Sequence, residues 1–429
     1  MTCIGDSATR LRISRERLGY TEVNYLGGHA LPEWLTRERT DIVAATDAPA
    51  FAPGEFEARC RRVRDALACS GLDAILVFRP SSVEYLCGFH TINPYPQPLL
   101  VTQDELRLYV LDIELARALA SATNATINFF ATTAVGGVAA DSLRLIAKDL
   151  LASVGRSARI GVDANDPRVP PNMLTLLNEV GIGIEDGREL VERVRLVLSA
   201  AEIEKMERAA DTSERAVTAA LAAAAENSAT DSTVAAAIYA ALAAHANSAA
   251  AMAPVVATGV RASVWHSSWA NVPLAKETTL LEFAGTCDRY HAPVMVTVAR
   301  RPPNELETRL EGHAQTVLTG ILEEARPGRI AGDVADAVAA RVGVLDPFDV
   351  FHWNFGYTTG LAHPPSWVDG ADWSIVSANH EKLQAGMVFH VAASFRNVAC
   401  AAVGLSHTIV LEGDGARVLT GKNPRIVVL

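Results

Sequence analysis

The stretch Thr279-Leu280-Leu281-Glu282-Phe283-Ala284-Gly285, followed by Arg289-Tyr290-His291-Ala292-Pro293, decides how the C-terminal half of this 429-residue chain is built. At period two, Glu282 falls on one face of a strand and Leu281 and Phe283 on the other. A carboxylate in so apolar a strand is costly unless it is paired, hydrogen-bonded or used. Glu282 is therefore the first candidate for chemistry, and a structural ion pair with Arg289 or Arg300 is the alternative. The second segment sets a guanidinium, a phenol and an imidazole on consecutive positions. Either Tyr290 or both Arg289 and His291 then face a pocket.

Working outward, Ser199-Ala200-Ala201-Glu202 is a capping box that opens a long Ala-rich helix to about Glu226. Asp231 is expected to cap a second helix, Ser232 to Asn247. Two more are expected at about Thr308 to Ala325 and Ala331 to Val342, with β-rich segments at 279–299 and 386–411. Helices on strands in this order predict an α+β domain over 196–429. Upstream, 51–195 alternates strand and helix: Glu55 to Ser70 is amphipathic, Ala74 to Phe78 is a buried strand, and Leu99 to Thr102 pairs with Leu106 to Leu111. That is an α/β domain. Residues 1–50 show no sustained period and read as an irregular extension with short helices, used for packing or subunit contact. The pairs Gly27-Gly28 and Gly136-Gly137 are isolated turn signals and weak evidence for phosphate binding.

Composition narrows the partners. The chain is 49% hydrophobic and 20% charged with a net charge of −11, which argues against nucleic acid or an anionic membrane. Six cysteines without a CxxC pair suit reduced thiols. The start of the chain lacks a secretory layout, and no stretch reaches the ~18 apolar residues of a membrane span. A cytoplasmic protein acting on a small molecule is expected. No GxSxG, HExxH, P-loop or strand-following GxGxxG is present.

The remaining candidates are histidines and aromatic residues. Trp265-His266-Ser267-Ser268-Trp269 sets an imidazole between two indoles, which suits holding a planar or cationic ligand with the imidazole as base. A half-buried structural histidine is the plainer reading. His352-Trp353-Asn354-Phe355-Gly356-Tyr357 and Gly360-Leu361-Ala362-His363-Pro364-Pro365-Ser366-Trp367 read as a pocket wall with tight turns. His390 and His407 fall on strands. His390 shares a face with Ala392, whereas His407 alternates with Ser406, and each is by default a satisfied core group.

Taken together, Leu280 to Gly285, Arg289 to Pro293, Phe355-Gly356-Tyr357, Gly386 to Ala392 and Gly404-Leu405-Ser406-His407 resemble, in order and spacing, the metal stations of the creatinase/prolidase-like "pita-bread" family, with residues 55 to 420 covered. The resemblance implies a creatinase-type N-terminal domain and a pita-bread C-terminal domain. That family's stations read Asp, Asp, His, Glu, Glu; here they read Glu282, Pro293, Tyr357, Ala392 and Ser406. One carboxylate with a phenol and a hydroxyl cannot hold a dinuclear centre, so neither metal nor cofactor is expected. Within the family the segments are most similar to the ectoine hydrolases, which likewise lack the metal ligands and open a cyclic amidine. The chain departs from them at His407, at Val368-Asp369 and in the loop 88–96. In creatinase-like dimers that loop reaches the neighbour's pocket, and a homodimer is the implied assembly.

The resemblance also implies roles. His266 matches the histidine that serves as general base in the creatinase branch. With Glu282, His291 and Tyr357 it makes the expected catalytic set, and Trp265, Trp269, Tyr290, Arg289, Trp353, His352, His363, His390 and His407 are the expected binding residues. The expected activity is metal-independent hydrolysis of a non-peptide C–N bond in a small cyclic amidine, guanidino or amide compound. A lyase, cyclase or isomerase of secondary metabolism and a non-catalytic binding module are the alternatives.

Overall fold

A computed structural model describes residues 10–27, 31–131 and 139–429. Chain contacts divide it into two compact units, Met1–Val194 and Arg195–Leu429. The Gly136-Gly137 signal and Gly28 lie outside the described residues. Among the described residues no helix is long and apolar enough to cross a membrane.

The first unit runs β1 (Arg10–Arg15), β2 (Gly19–Tyr25), α1 (Arg37–Ala44), α2 (Pro53–Ser70), β3 (Ala74–Val77), α3 (Pro80–Cys87), β4 (Leu99–Thr102), β5 (Leu106–Leu111), α4 (Leu115–Ser121), β6 (Thr126–Phe130), α5 (Ala139–Val154), β7 (Arg159–Val162), α6 (Met173–Val180), β8 (Gly183–Asp186) and α7 (Leu190–Val194). Its eight strands form one mixed sheet in the order β1-β2-β6-β5-β4-β3-β7-β8. One face carries a core of Leu76, Leu100, Tyr109, Phe130, Ile146, Leu150 and Leu177.

The N-terminal segment carries a short helix as expected, α1, but its residues Arg10–Tyr25 are not irregular. β1 and β2 pair antiparallel, and β2 adds in parallel to β6, with Val23 opposite Ile127. A sheet edge about a hundred residues away supplies the partners that local sequence does not.

The second unit contains α8 (Ala200–Ala225), α9 (Asp231–His245), β9 (Val255–Thr258), β10 (Thr278–Cys287), β11 (Tyr290–Ala299), α10 (Glu305–Glu324), α11 (Ala331–Val342), β12 (Asp349–Val350), β13 (Tyr357–Thr358), β14 (Val388–Asn397), β15 (Ala401–Glu412), β16 (Gly415–Val418) and β17 (Val427–Val428). Two sheets are formed, β17-β11-β10-β9 and β12-β14-β15-β16, with β13 also paired to β14. Helices α8 and α9 cover the first through Leu281, Phe283, Val294 and Val298. Helices α10 and α11 cover the second through Phe389, Val391, Phe395, Leu405 and Ile409.

Hydroxyl groups join β11 to β15. Met295 N–H donates to Ser406 Oγ at 2.7 Å, Thr297 Oγ1 donates to Gly404 O at 2.8 Å, and Thr408 Oγ1 donates to Pro293 O at 2.7 Å. Gly404 lets the strands approach closely at this join: a Cβ there would meet Met295 Sδ at 2.3 Å and Leu280 Cδ1 at 2.5 Å, so both side chains would have to move.

Two local expectations change. The second helix is capped by Thr230, in a box with Thr233, and not by Asp231. Asp231 is buried instead and accepts from Arg261 Nη1 at 2.8 Å, Ala270 N–H at 2.9 Å and Val272 N–H at 3.0 Å, which pins the loop carrying Trp265 to Trp269. Arg289 is not on a strand. Asp288 (φ 47°) and Arg289 (φ 62°) form a two-residue hairpin turn between the paired Cys287 and Tyr290.

Candidate active site

Alternation on β10 sends Leu281 and Phe283 to the helix layer and leaves Glu282 on the opposite face. That face belongs to a small cluster of Ala257, Ala262, Leu280, Met295, Ala392 and Ala402, with Tyr357 against it. Glu282 is half-buried, and its carboxyl is pushed up to about 7 by desolvation, opposed only by the positive charge of Arg396. Among the described residues it has no hydrogen-bond donor and no ion-pair partner within 4 Å. A carboxyl titrating near neutrality on an open face can hold or accept a proton.

β14 supplies the other wall. Val391, Ala393 and Phe395 point into the helix-covered core, so His390, Ala392, Ser394 and Arg396 share the opposite face. His390 lies opposite Tyr357 in the β13–β14 pair. Trp367 Nε1–H donates to the Tyr357 hydroxyl at 3.0 Å, and that hydroxyl lies 2.6 Å from His390 Nδ1. An indole N–H can only donate, so the Tyr357 oxygen accepts from it and its own proton goes to His390 Nδ1. His390 is thereby the neutral tautomer with its proton on Nε2. Burial, with His352 and His407 nearby, pushes its ring down to about 3. The Tyr357 phenol is pushed well up by burial and by the charge of Glu282.

Three buried polar atoms on this face have no partner: His390 Nε2, Ser394 Oγ and Arg396 Nε. Arg396 is 3% exposed. One terminal nitrogen donates to Ala262 O, and the guanidinium carbon sits 4.8 Å from the Trp265 ring centroid. Desolvation pulls this cation down to about 10, opposed by Glu282. Arg396 and Ser394 were not among the candidates drawn from sequence. Stepping by two from His390 would have reached both.

The metal stations of the related fold can be tested on these side chains. Pro293 and Ala392 carry no donor, the Ser406 hydroxyl is taken by Met295 N–H, and the Tyr357 hydroxyl is taken by Trp367 and His390. Among the described residues no group of three or more His, Cys, Asp or Glu is placed to hold an ion. The donor set does not fit a dinuclear centre.

The structure sorts the other candidates. Trp265 joins the site by stacking on Arg396, whereas His266 is exposed at φ 58° and has no hydrogen bond among the described residues. Trp269 meets Tyr239 edge-on at 5.9 Å and rests on the α8–α9 core. Tyr290 donates to Glu202 at 2.7 Å, tying β11 to the start of α8. His291 Nε2 accepts from Ala251 N–H at 2.9 Å and its Nδ1 lies 2.8 Å from Arg289 O, so both nitrogens serve the backbone. His363 is buried, and its backbone N–H donates to Asp369 at 3.1 Å. His352 and Trp353 are exposed; His352 Nδ1 accepts from Asn354 N–H, and Trp353 lies against Phe351. His407, opposite Val391, points to the helix layer, with Nδ1 3.3 Å from Thr420 O. Glu282, Tyr357, His390 and Trp265 are thus brought together, while Tyr290, His291, His407 and Trp269 serve packing.

Comparison with known proteins follows the same division. Residues 59–197 match the Creatinase/Prolidase N-terminal domain, and residues 204–413 match metallopeptidase family M24. The chain is 34% identical to the ectoine hydrolase of Halomonas elongata over 142 residues, 33% of this chain and 35% of that protein's length. It is 24% identical to an uncharacterized hydrolase/peptidase of Sinorhizobium fredii over 389 residues, 88% of this chain and 98% of that one. Among solved structures, the prolidase from Pyrococcus horikoshii superposes with a TM-score of 0.72 at 17% identity, covering 86% of this chain and all of that one.

Proposed function

Since this chain belongs to the creatinase/prolidase-like M24 superfamily, we propose that it is a metal-independent hydrolase that cleaves a non-peptide C–N bond of a small polar amidine, guanidino or amide compound. The observation that carries the reading is Glu282: the first metal station remains a carboxyl, alone on an open face and pushed up to about 7, where the other stations have lost their ligands or spent them on protein bonds. The partial likeness to ectoine hydrolase supports the substrate class.

In this reading Glu282 handles the proton. Water adds to the electrophilic carbon as its proton passes to the Glu282 carboxylate. The C–N bond then breaks as that proton moves to the departing nitrogen. Attack by Glu282 itself, followed by hydrolysis of the adduct, gives the same products. Tyr357, held between Trp367 and His390, forms part of the wall. His266, exposed and next in sequence to Trp265, is kept as a separate candidate base.

The test is turnover of a panel of cyclic amidines, guanidino acids and small amides in ¹⁸O-labelled water after exhaustive chelation. Activity that survives chelation, one labelled oxygen in the product, and a loss of ~10²-fold or more in Glu282→Gln are expected. Activity lost on chelation and restored by Mn²⁺ or Zn²⁺ would overturn the metal-free reading. Product without label would move the chain to a lyase or isomerase.

A further inference from the structure

The eight-stranded sheet of the first unit ends in two edges, β1 on one side and β8 on the other. Among the described residues β1 pairs only with β2 and β8 only with β7, so each leaves a row of backbone N–H and C=O groups with no strand to meet them. Neither strand contains proline or lysine, which commonly blunt such edges. They carry charge of opposite sign instead. β1 reads Arg10-Leu11-Arg12-Ile13-Ser14-Arg15, with Arg10 and Arg12 exposed, and β8 reads Gly183-Ile184-Glu185-Asp186, with both acids exposed. The N-terminal hairpin creates the basic edge: without it the sheet would end at β6, Thr126–Phe130, which bears no charge.

The counter-charges lie off the edge strands. Arg10 pairs with Glu22 on β2, Glu185 with Arg159 on β7 at 3.5 Å, and Asp186 with Arg188 at 2.8 Å, all weak surface pairs open to exchange. Arg12 makes no ion pair among the described residues; its guanidinium lies 4.8 Å from the ring centre of Tyr20, which is 65% exposed. A groove of about 580 Å³ lies along β1, lined by Leu11, Arg12, Ile13 and Ser14 with Tyr20 and Arg37. Like charges disfavour β1 against β1 and β8 against β8. The pairing they leave is β1 of one copy against β8 of another.

We propose that β1 is a docking edge for β8 of a second copy of this chain, so that the sheet continues from copy to copy. The alternation of side chains selects the pairing. Strand register places Arg10, Arg12 and Ser14 on the same sheet face as Ile184 and Asp186, and β1 and β8 run in opposite directions. Turning the second copy over therefore sets its β8 parallel to β1 and exchanges the faces. Glu185 then lies beside Arg12 and Ile184 beside Leu11, charge against charge and apolar against apolar. Antiparallel pairing matches Asp186 to Arg12 but sets Glu185 against Ile13 and Ile184 against Ser14. The contact joins two different edges, so every added copy leaves a β1 and a β8 free at the ends, and association does not stop at two. The proposal is independent of the hydrolase reading.

Sedimentation of the full-length protein over about 1 to 200 µM, in low salt and at about 0.5 M NaCl, tests this. In low salt the average mass should rise with concentration past two chains, with association at least ~3-fold weaker at high salt. Arg12→Glu and Glu185→Lys, both at exposed positions, should each weaken association at least ~5-fold. An equimolar mixture of the two should restore it, because each supplies the charge the other has lost. A mass that does not change with concentration, single variants that associate like wild type, or a mixture no better than either variant alone overturns the proposal. The contact itself is read by oxidising the double variant Arg12→Cys and Glu185→Cys with diamide, which should give a ladder of covalent multimers on a denaturing gel. No ladder, or the same ladder from either single variant through the exposed Cys69 or Cys400, places the contact elsewhere and counts equally against the proposal.

Discussion

His291 and His390 are both fully buried on strands of the second unit, and burial pushes both rings far down, to about 4 and about 3. They differ in what their nitrogens touch. His291 spends both on backbone, at Ala251 and Arg289, and so stitches the β10–β11 turn to the chain before β9. His390 spends one on Tyr357 and leaves the other bare, beside the bare atoms of Ser394 and Arg396. A satisfied buried imidazole is part of the scaffold. An unsatisfied one, in company, leaves donors on one strand face that the protein itself does not pair.

The contrast can be broken first at His291. His291→Ala leaves Ala251 N–H without its partner and opens a cavity, while Arg289 O keeps the Ala362 N–H, so a loss of about 2–4 kcal/mol in urea unfolding is expected. A loss under about 1 kcal/mol would show that His291 is not structural.

Glu282 gives a pH-dependent form of the same contrast. Its folded carboxyl is raised, to about 7 against 4.5 for the unfolded chain, so its contribution is fully present below 4.5 and is lost as pH rises through 7. Wild type should therefore fall relative to Glu282→Gln by up to about 3 kcal/mol between pH 4.5 and 7.5. Parallel stability curves for the two proteins would contradict the raised carboxyl.

Tyr357→Phe removes the hydroxyl between Trp367 and His390 and leaves both without that partner. A loss of about 1–2 kcal/mol is expected from unfolding curves. The smallest effect belongs to Ser394→Ala. Its hydroxyl has no protein partner, so its removal should leave stability unchanged or raise it by up to about 1 kcal/mol. A clear loss of stability would mean that Ser394 is a scaffold group like His291.

Much of this was legible residue by residue. The capping box at Ser199, the helix Ala331–Val342 and the strands flanking Glu282 rest on local pattern and appear where periodicity puts them. The hairpin Arg10–Tyr25 was not legible, since it is stabilised by pairing with Thr126–Phe130, remote in sequence. The turn at Asp288–Arg289 was missed because Arg289, unlike the Gly or Asn that usually follows Asp in such a turn, is not a habitual left-handed former. Contacts outside the turn hold it: Asp288 with Lys205 at 2.7 Å and Asn247 at 2.7 Å, and Arg289 N–H with Ser248 at 2.8 Å. Misplacing that turn put Arg289 on a strand.

By itself the sequence determined the two-domain plan, the replacement of the family's metal ligand at four of the five stations, two of them by residues with no donor, and the isolation of Glu282 in an apolar strand. Those depend on residue identity and on periods of two and 3.6, which are written locally. Only the tertiary structure decided which polar groups are satisfied. Whether a buried imidazole, hydroxyl or guanidinium has a partner depends on chain segments far away: Arg396 meets Trp265 and Ala262 across more than a hundred residues, and His390 meets Tyr357 from another strand. Hydrogen bonds close within about 3 Å, and no spacing along the chain encodes that distance.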